Sequence, residues 1–227
     1  AAISDHPKLV ELLDTLVRSG RGVGISSLRA DRVARKPDIA RLLRESGART
    51  LTVASDAASQ RLRRQIAKGT VERHLLECAR LAKENNFQVL KVYMMLGVPD
   101  ESDEDLDELI AFTRELGAIT KTALGIAAFV AKKNTPLDGE PFAGIKVVER
   151  RIKRLQRELK GHAEIRPASV RWAWVEYQLA QGGPEAGLAV YRALKTGGRF
   201  ADYRREFEDL APETYRPWLA RETDTPM

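Results

Sequence analysis

Cysteine is almost missing: Cys78 is the only one in 227 residues. That excludes an intrachain disulfide. It equally excludes any metal or cluster site that draws three thiolates from this chain. Long apolar runs are missing as well. None approaches the ~20 residues of a membrane-spanning helix, so no membrane role is expected. With no targeting pattern in the first residues and so little cysteine, the expected location is cytoplasmic. No G-x-G-x-x-G or G-K-[ST] run occurs, and the glycines at 20–24 precede a strand pattern where a phosphate loop would follow one. The three histidines, His6, His74 and His162, lie far apart on different kinds of element and offer no metal-ligand spacing. There is no internal repeat and no low-complexity tract.

What is present is ordinary globular material, with 43% hydrophobic and 31% charged residues. That balance excludes wholesale disorder. The length falls between one large domain and two small ones. The net charge is +6 and unevenly placed: residues 1–145 carry +2, and the much shorter 146–227 carry +4. Such a bias suits either an acidic partner or simple solubility.

The first two thirds alternate helix and strand patterns. Residues 7–19 space Leu9, Leu12, Leu13, Leu16 and Val17 as one helix face, stopped at Gly20. Residues 22–28 read as a short β-like run and 38–46 as a helix opened by Pro37. Residues 50–54 read as a buried strand. Two helices follow, 59–67 and 71–84, with Thr70 as the expected N-cap of the second. Residues 89–98 form the strongest strand pattern. Ser102 then begins a capping-box start with Asp103, Glu104 and Asp105 in the first turn, for a helix to Gly117. Another strand is expected at 122–130. Strand and helix recurring every 30 to 40 residues or so favour parallel strands in an incomplete (β/α) barrel or a doubly wound sheet.

The last third changes character. Residues 134–145 are turn-rich, and 146–160 form an amphipathic helix with Val148, Ile152, Leu155 and Leu159 as its apolar stripe. Seven basic and two acidic side chains give that helix +5. A short strand at 163–168 and helices at 172–180, 184–194, 200–210 and 214–220 complete the reading. Trp172, Trp174, Tyr177 and Tyr191 read as packing residues.

In parallel α/β folds ligands bind at the carboxyl ends of the strands. Those ends here are Ser26 to Asp31, Ala54 to Ser59, Met95 to Glu101 and Phe129 to Pro136. Each runs from apolar residues into small or polar ones able to hold a ribose, amine or carboxylate. Gly97 offers a close approach to a planar ring. Every feature also has a plainer reading. Asp56 and Ser59 suit helix capping, the acids from Asp100 to Asp105 suit a helix N-terminus, and Arg29 with Asp31 suits an ion pair. Cys78, in register with Leu75 and Leu81, reads as core.

Taken in order, S-L-R-A-D-R (27–32), A-S-D-A-A-S-Q-R-L-R-R-Q-I-A-K-G (54–69), K-V-Y-M-M-L-G-V-P-D-E-S-D-E-D-L (91–106) and F-V-A-K-K-N-T-P (129–136) resemble the radical S-adenosylmethionine (radical SAM) superfamily. The similarity is strongest to its methylthiotransferase-like, cobalamin-binding branch. It covers roughly residues 20–140, and the run at 91–106 is its most specific part. The resemblance implies an α/β fold: an incomplete parallel (β/α) barrel in residues 1–140 with a basic, mainly helical extension in 141–227. It also implies SAM, reduced by a [4Fe–4S] cluster to a 5′-deoxyadenosyl radical, with cobalamin as a further possible cofactor.

Carried over position by position, the resemblance assigns Asp56, Ser59 and either Arg61 or Arg63 to the ribose and methionyl carboxylate of SAM. It assigns Leu96, Gly97 and Val98 to the adenine surroundings, and the backbone of Phe129 and Val130 to the adenine edge. The chain departs from the family pattern A-P-E-A-G-S at Ser55, Asp56 and Ala58, and Ala131 replaces a proline. The CxxxCxxC loop that ligates the cluster is not in these residues. Either a segment preceding Ala1 supplies it, or the chain is a degenerate, non-catalytic module that binds RNA or a protein, such as a ribosomal partner, through its basic helix. Substrate and catalytic residues stay open.

Overall fold

The computed structural model describes residues 3–210. After a 3-10 turn at Ile3–Asp5, helix α1 (Leu9–Arg18) leads to a two-residue strand β1 (Leu28–Arg29) and helices α2 (Ala30–Arg35) and α3 (Asp38–Glu45). Strand β2 (Thr50–Asp56) is followed by α4 (Gln60–Gln65) and α5 (Glu72–Glu84), then β3 (Val89–Leu96), α6 (Asp103–Ile119) and β4 (Thr122–Ala128). Helix α7 (Ile145–Glu158), strand β5 (Ala163–Pro167) and helices α8 (Val170–Gln181), α9 (Pro184–Lys195) and α10 (Phe200–Asp209) complete the described chain. The helix expected at 214–220 lies outside the described residues.

The strands form one sheet in the order β1-β2-β3-β4-β5. Pairing is parallel between β1 and β2, β2 and β3, and β4 and β5. Each new strand adds to the same edge. A doubly wound sheet reverses direction at a switch point, whereas a barrel does not. The architecture is therefore α/β with an incomplete parallel (β/α) barrel and a mostly helical C-terminal extension, as the sequence pattern led us to expect.

Alternation decides which side of the sheet is covered. In β2, Leu51, Val53 and Ser55 are buried while Thr52 and Ala54 are half-buried. In β3, Leu90, Val92, Met94 and Leu96 are buried while Tyr93 is exposed. The buried rows make the core with Leu75, Cys78, Ala79 and Ala82 of α5, which packs against α2 and α6. Burying one leucine side chain contributes about 1.5–3 kcal/mol. Register pairs Thr52 with Lys91 and Ala54 with Tyr93, so these four share the opposite, open face.

Several local expectations are corrected. Of the β-like run 22–28 only Leu28 enters a strand, with Arg29 just beyond the run: Gly22 and Gly24 have no side chain to bury, and the ladder starts where Leu28 meets Val53. The six residues after it form α2, whose few apolar positions hid it from periodicity. Thr70 does not cap α5. Val71 is the capping residue, and its N–H donates to Nδ1 of His74 at 3.3 Å. Gly117 does not end α6 but lies within it, where a Cβ would stand 2.4 Å from the His162 carbonyl oxygen. Close packing, not chain termination, requires that glycine.

The chain divides into two compact units. Among the described residues the first holds 3–95, Glu101–Ile126 and Ile152–Pro167; the second holds Leu96–Asp100, Ala127–Arg151 and 168–210. The second unit has an aromatic core. Trp174 meets Phe200 and Phe207 edge-on at 5.8 and 6.0 Å, and Phe142 lies 5.8 Å from Tyr177. In α7, Val148, Ile152 and Leu155 are buried as the stripe predicted.

Candidate functional site

The first unit gathers charge at the carboxyl ends of β1 and β2. Register slips between Ala54 and Asp56, so β2 carries a bulge at its last turn. Asp56 then adopts φ +69°. Left-handed backbone costs a residue with a Cβ about 1 kcal/mol or more, and Asp is among the few that tolerate it. Bulges beside strand ends re-aim side chains. Here the result is a half-buried carboxylate whose Oδ2 lies 3.4 Å from Lys68 Nζ.

Arg29 ends β1 in the same region. Its Nε and Nη2 donate to the two Asp31 carboxylate oxygens at 3.0 and 3.1 Å, and its Nη1 lies 3.5 Å from Asp5. The fork-to-fork hydrogen bond to Asp31 raises the Arg29 pKa above its ordinary value, against the opposing effect of burial. Burial alone would push the Asp31 carboxyl up, but the Arg29 hydrogen bond and charge outweigh it and hold it below the usual range. Both the ion-pair reading and the strand-end placement of these residues hold together.

Ser59 fulfils its capping role, its Oγ accepting from Leu62 N–H at 3.2 Å. The same hydroxyl donates to Asp105 Oδ1 at 2.5 Å. Asp105 Oδ2 accepts from Arg61 Nη2 at 2.5 Å, from Ser102 N–H at 2.8 Å and from Ser102 Oγ at 3.1 Å. A second tie runs from Gln60 N–H to Glu108 Oε1 at 2.5 Å. Burial would raise the Asp105 pKa, yet the donors from Arg61, Ser59 and Ser102 together lower it. Ser59 and Arg61 are thus engaged in clamping the start of α4 to the start of α6.

The structure separates the two arginines that the sequence could not. Arg61 is half exposed and pairs with Asp105; Arg63 is 1% exposed. Arg63 Nη1 donates to Ser55 Oγ at 3.2 Å and Ala57 O at 3.4 Å, tying α4 to the end of β2 and the residue just past it. Its Nε and Nη2 have no hydrogen-bond partner among the described residues, and the nearest carboxylates, Glu72 and Glu108, stand at 3.5 and 4.0 Å. Burial pulls its pKa below the ordinary arginine value, only partly offset by those two acids. A buried guanidinium with open donors favours an anion.

On the open face, Lys91 Nζ donates to the Tyr93 hydroxyl at 2.8 Å and sits 4.4 Å from the ring centroid. The ring occupies the space above Gly125, where a Cβ would meet it at 2.6 Å.

In the second unit, Leu96, Gly97, Val98 and Phe129 are buried and Val130 is half-buried. Phe129 N–H donates to Leu96 O at 2.8 Å, so that amide is spent on the sheet and is not open to an adenine edge. Gly97, at φ +80°, has Ala143 Cβ at 2.8 Å and Val148 Cγ2 at 3.3 Å from where its own Cβ would be. The close approach that this glycine permits is to the chain itself.

Lys68 and Asp105 went unremarked as site residues in the sequence. The K-G at 68–69, just before a strand-end loop closes on α5, was the available signal for Lys68; for Asp105 only the capping box pointed to a structured carboxylate. The basic face of α7 is partly engaged as well, with Arg154 paired to Asp107 and, at 3.6 Å, to Asp103.

A three-thiolate cluster does not fit these residues. Cys78 is fully buried, donates to the Ala30 carbonyl at 3.5 Å, and has its thiol pKa pushed up to about 12 by burial. Among the described residues no group of three or more His, Cys, Asp and Glu is placed to hold a metal ion. The ends of β1 and β2 do offer groups suited to the hydroxyls and carboxylate of SAM: the re-aimed Asp56 carboxylate beside Lys68, and the buried Arg63 guanidinium with unpartnered donors.

Residues 2–113 match the model of the radical SAM superfamily. The match begins before, and ends before, the span of roughly 20–140 expected from the motifs, so Phe129 and Val130 lie beyond it. A stretch of 159 residues is 34% identical to an uncharacterized protein of Methanocaldococcus jannaschii, covering 67% of this chain and 35% of that relative. The matched stretch thus takes in about a third of the relative's length.

Proposed function

Proceeding from a radical SAM superfamily match over residues 2–113, we propose that this chain is the carboxyl-terminal part of a radical SAM enzyme core and binds SAM at the carboxyl ends of β1 and β2. The observation that carries this is the bulged, left-handed Asp56 paired with Lys68. Asp56 accepts from the ribose hydroxyls, the role the resemblance gave it. Arg61 or Arg63 meets the methionyl carboxylate: Arg61 is the exposed one and already pairs with Asp105, while Arg63 is buried with two guanidinium nitrogens unpartnered. Ser59 positions the loop and does not touch the ligand. Residues 1–140, joined at the sheet edge by β5 (Ala163–Pro167), serve as the barrel portion, and the rest of 141–227 as its extension. SAM held here would supply, on accepting one electron from a cluster ligated outside these residues and releasing methionine, a carbon-centred radical able to abstract hydrogen from a substrate.

The residues of this chain orient SAM; they do not reduce it. The thiolates of any [4Fe–4S] cluster come from outside these 227 residues, a reading supported by the single buried cysteine. The K-x-Y-x-M run of β3 supports the methylthiotransferase-like, cobalamin-binding branch.

Calorimetric titration with SAM tests the site. Saturable binding is expected, weakened roughly tenfold in D56N and in K68M, with the far-ultraviolet circular dichroism unchanged. Failure of SAM to bind, or binding indifferent to both substitutions, overturns the assignment.

A further inference from the structure

The second unit encloses a cavity of about 470 Å³ that shares no residue with the site above. Its floor is aromatic: Phe142 and Trp174 are buried, and Phe200 is half-buried with its ring edge-to-face on Trp174. The rim is basic. Lys146 at the start of α7, Arg171 at the start of α8 and Arg204 in α10 all line it. One acid, Glu149, faces these three cations.

Their partners distinguish the cations. Arg204 is held by Glu208 at 2.7 Å. Arg171 places its guanidinium carbon 5.7 Å from the Phe200 centroid, stacked on an aromatic face. Neither Lys146 nor Arg171 forms a salt bridge among the described residues. An apolar, ring-lined floor beneath cations lacking carboxylate partners takes a ligand that is flat and apolar at one end and anionic at the other. The volume admits one or two fused rings with an ionic group.

We infer that this cavity is a binding site for a small planar aromatic anion, with the ring against Trp174 and Phe200 and the carboxylate or phosphate held by Lys146 and Arg171. Burying the ring supplies contact area, and the two cations orient it. A neutral ring of the same shape keeps the first contribution and loses the second.

Equilibrium dialysis of the full chain tests this with three probes: 1-naphthoate, 1-naphthyl phosphate and the neutral 1-naphthylmethanol. At least one anion should bind saturably at one site, and about tenfold or more tighter than the alcohol. The tighter of the two anions identifies the ionic group. K146M and R171Q, both exposed rim positions whose substitution spares the core, should each weaken the anion about fivefold to tenfold and leave the alcohol unchanged. D56N should leave naphthoate binding intact, which separates this cavity from the SAM site. The inference fails if neither anion saturates, if the alcohol binds as well as the anions, if both rim variants bind normally, or if D56N abolishes binding.

Discussion

Ser59 Oγ donates to Asp105 Oδ1 at 2.5 Å across 46 residues of sequence, joining the N-terminal cap of α4 to the capping box of α6. One carboxylate thereby serves two helix starts and Arg61. D105N keeps the shape and one acceptor oxygen, but removes the charge and turns an amide NH2 toward donors on the other side. A loss of about 2–3 kcal/mol in unfolding free energy is expected, measured by urea denaturation at pH 7. An unchanged midpoint would show that the clamp contributes nothing.

Asp56 predicts a separation of stability from binding. Glycine adopts φ +69° without strain, so D56G should hold or raise the melting temperature by a few degrees, a gain of up to about 1 kcal/mol. The same change should abolish SAM binding. A D56G protein that binds SAM as tightly as the parent contradicts the role given to the carboxylate.

Gly125 lies beneath the Tyr93 ring. G125A should drive the ring and the Lys91 chain off β4 at a cost of about 1–3 kcal/mol. The double variant G125A/Y93A should recover much of it, since the clash needs both partners. Thermal denaturation of the four proteins in the cycle decides this.

Acid sensitivity should begin at His74. Burial, and then the Arg73 charge, lower its pKa, and its Nδ1 accepts the Val71 N–H. With the folded pKa below the unfolded value near 6.5, the unfolded chain takes up the proton first. Stability is then complete above about pH 6.5 and declines as pH falls toward the folded pKa. Asp31 and Asp105, also lowered, add a second decline at carboxylate pH. H74N should flatten the first decline; a pH–stability curve identical to the parent refutes it.

Cys78 should be inert. With its pKa about 12 and no exposure, iodoacetamide should leave it unmodified for hours in the native protein and alkylate it within minutes in urea. Rapid native labelling would mean that α5 opens readily.

The sequence revealed the strand–helix alternation, the amphipathic α7 and the burial of Cys78, because each repeats a local period. It also pointed to Asp56, Ser59 and the arginines, because parallel sheets bind at strand ends. It did not reveal how those residues divide the work. Whether Arg61 or Arg63 is open depends on where Asp105 sits, and no spacing rule connects 61 to 105. Lys68 was hidden for the same reason: its partner is chosen by the bulge at the end of β2. Phe129 looked available because its amide acquires a partner only when β4 meets β3.

Gly97 and Ala143 divide one pocket of volume between two distant stretches of sequence, with Val148 as its third wall. Neither position can grow alone. A change that enlarged one would have to be answered by shrinkage at another, so the loop after β3 and the approach to α7 inherit their substitutions as a linked set.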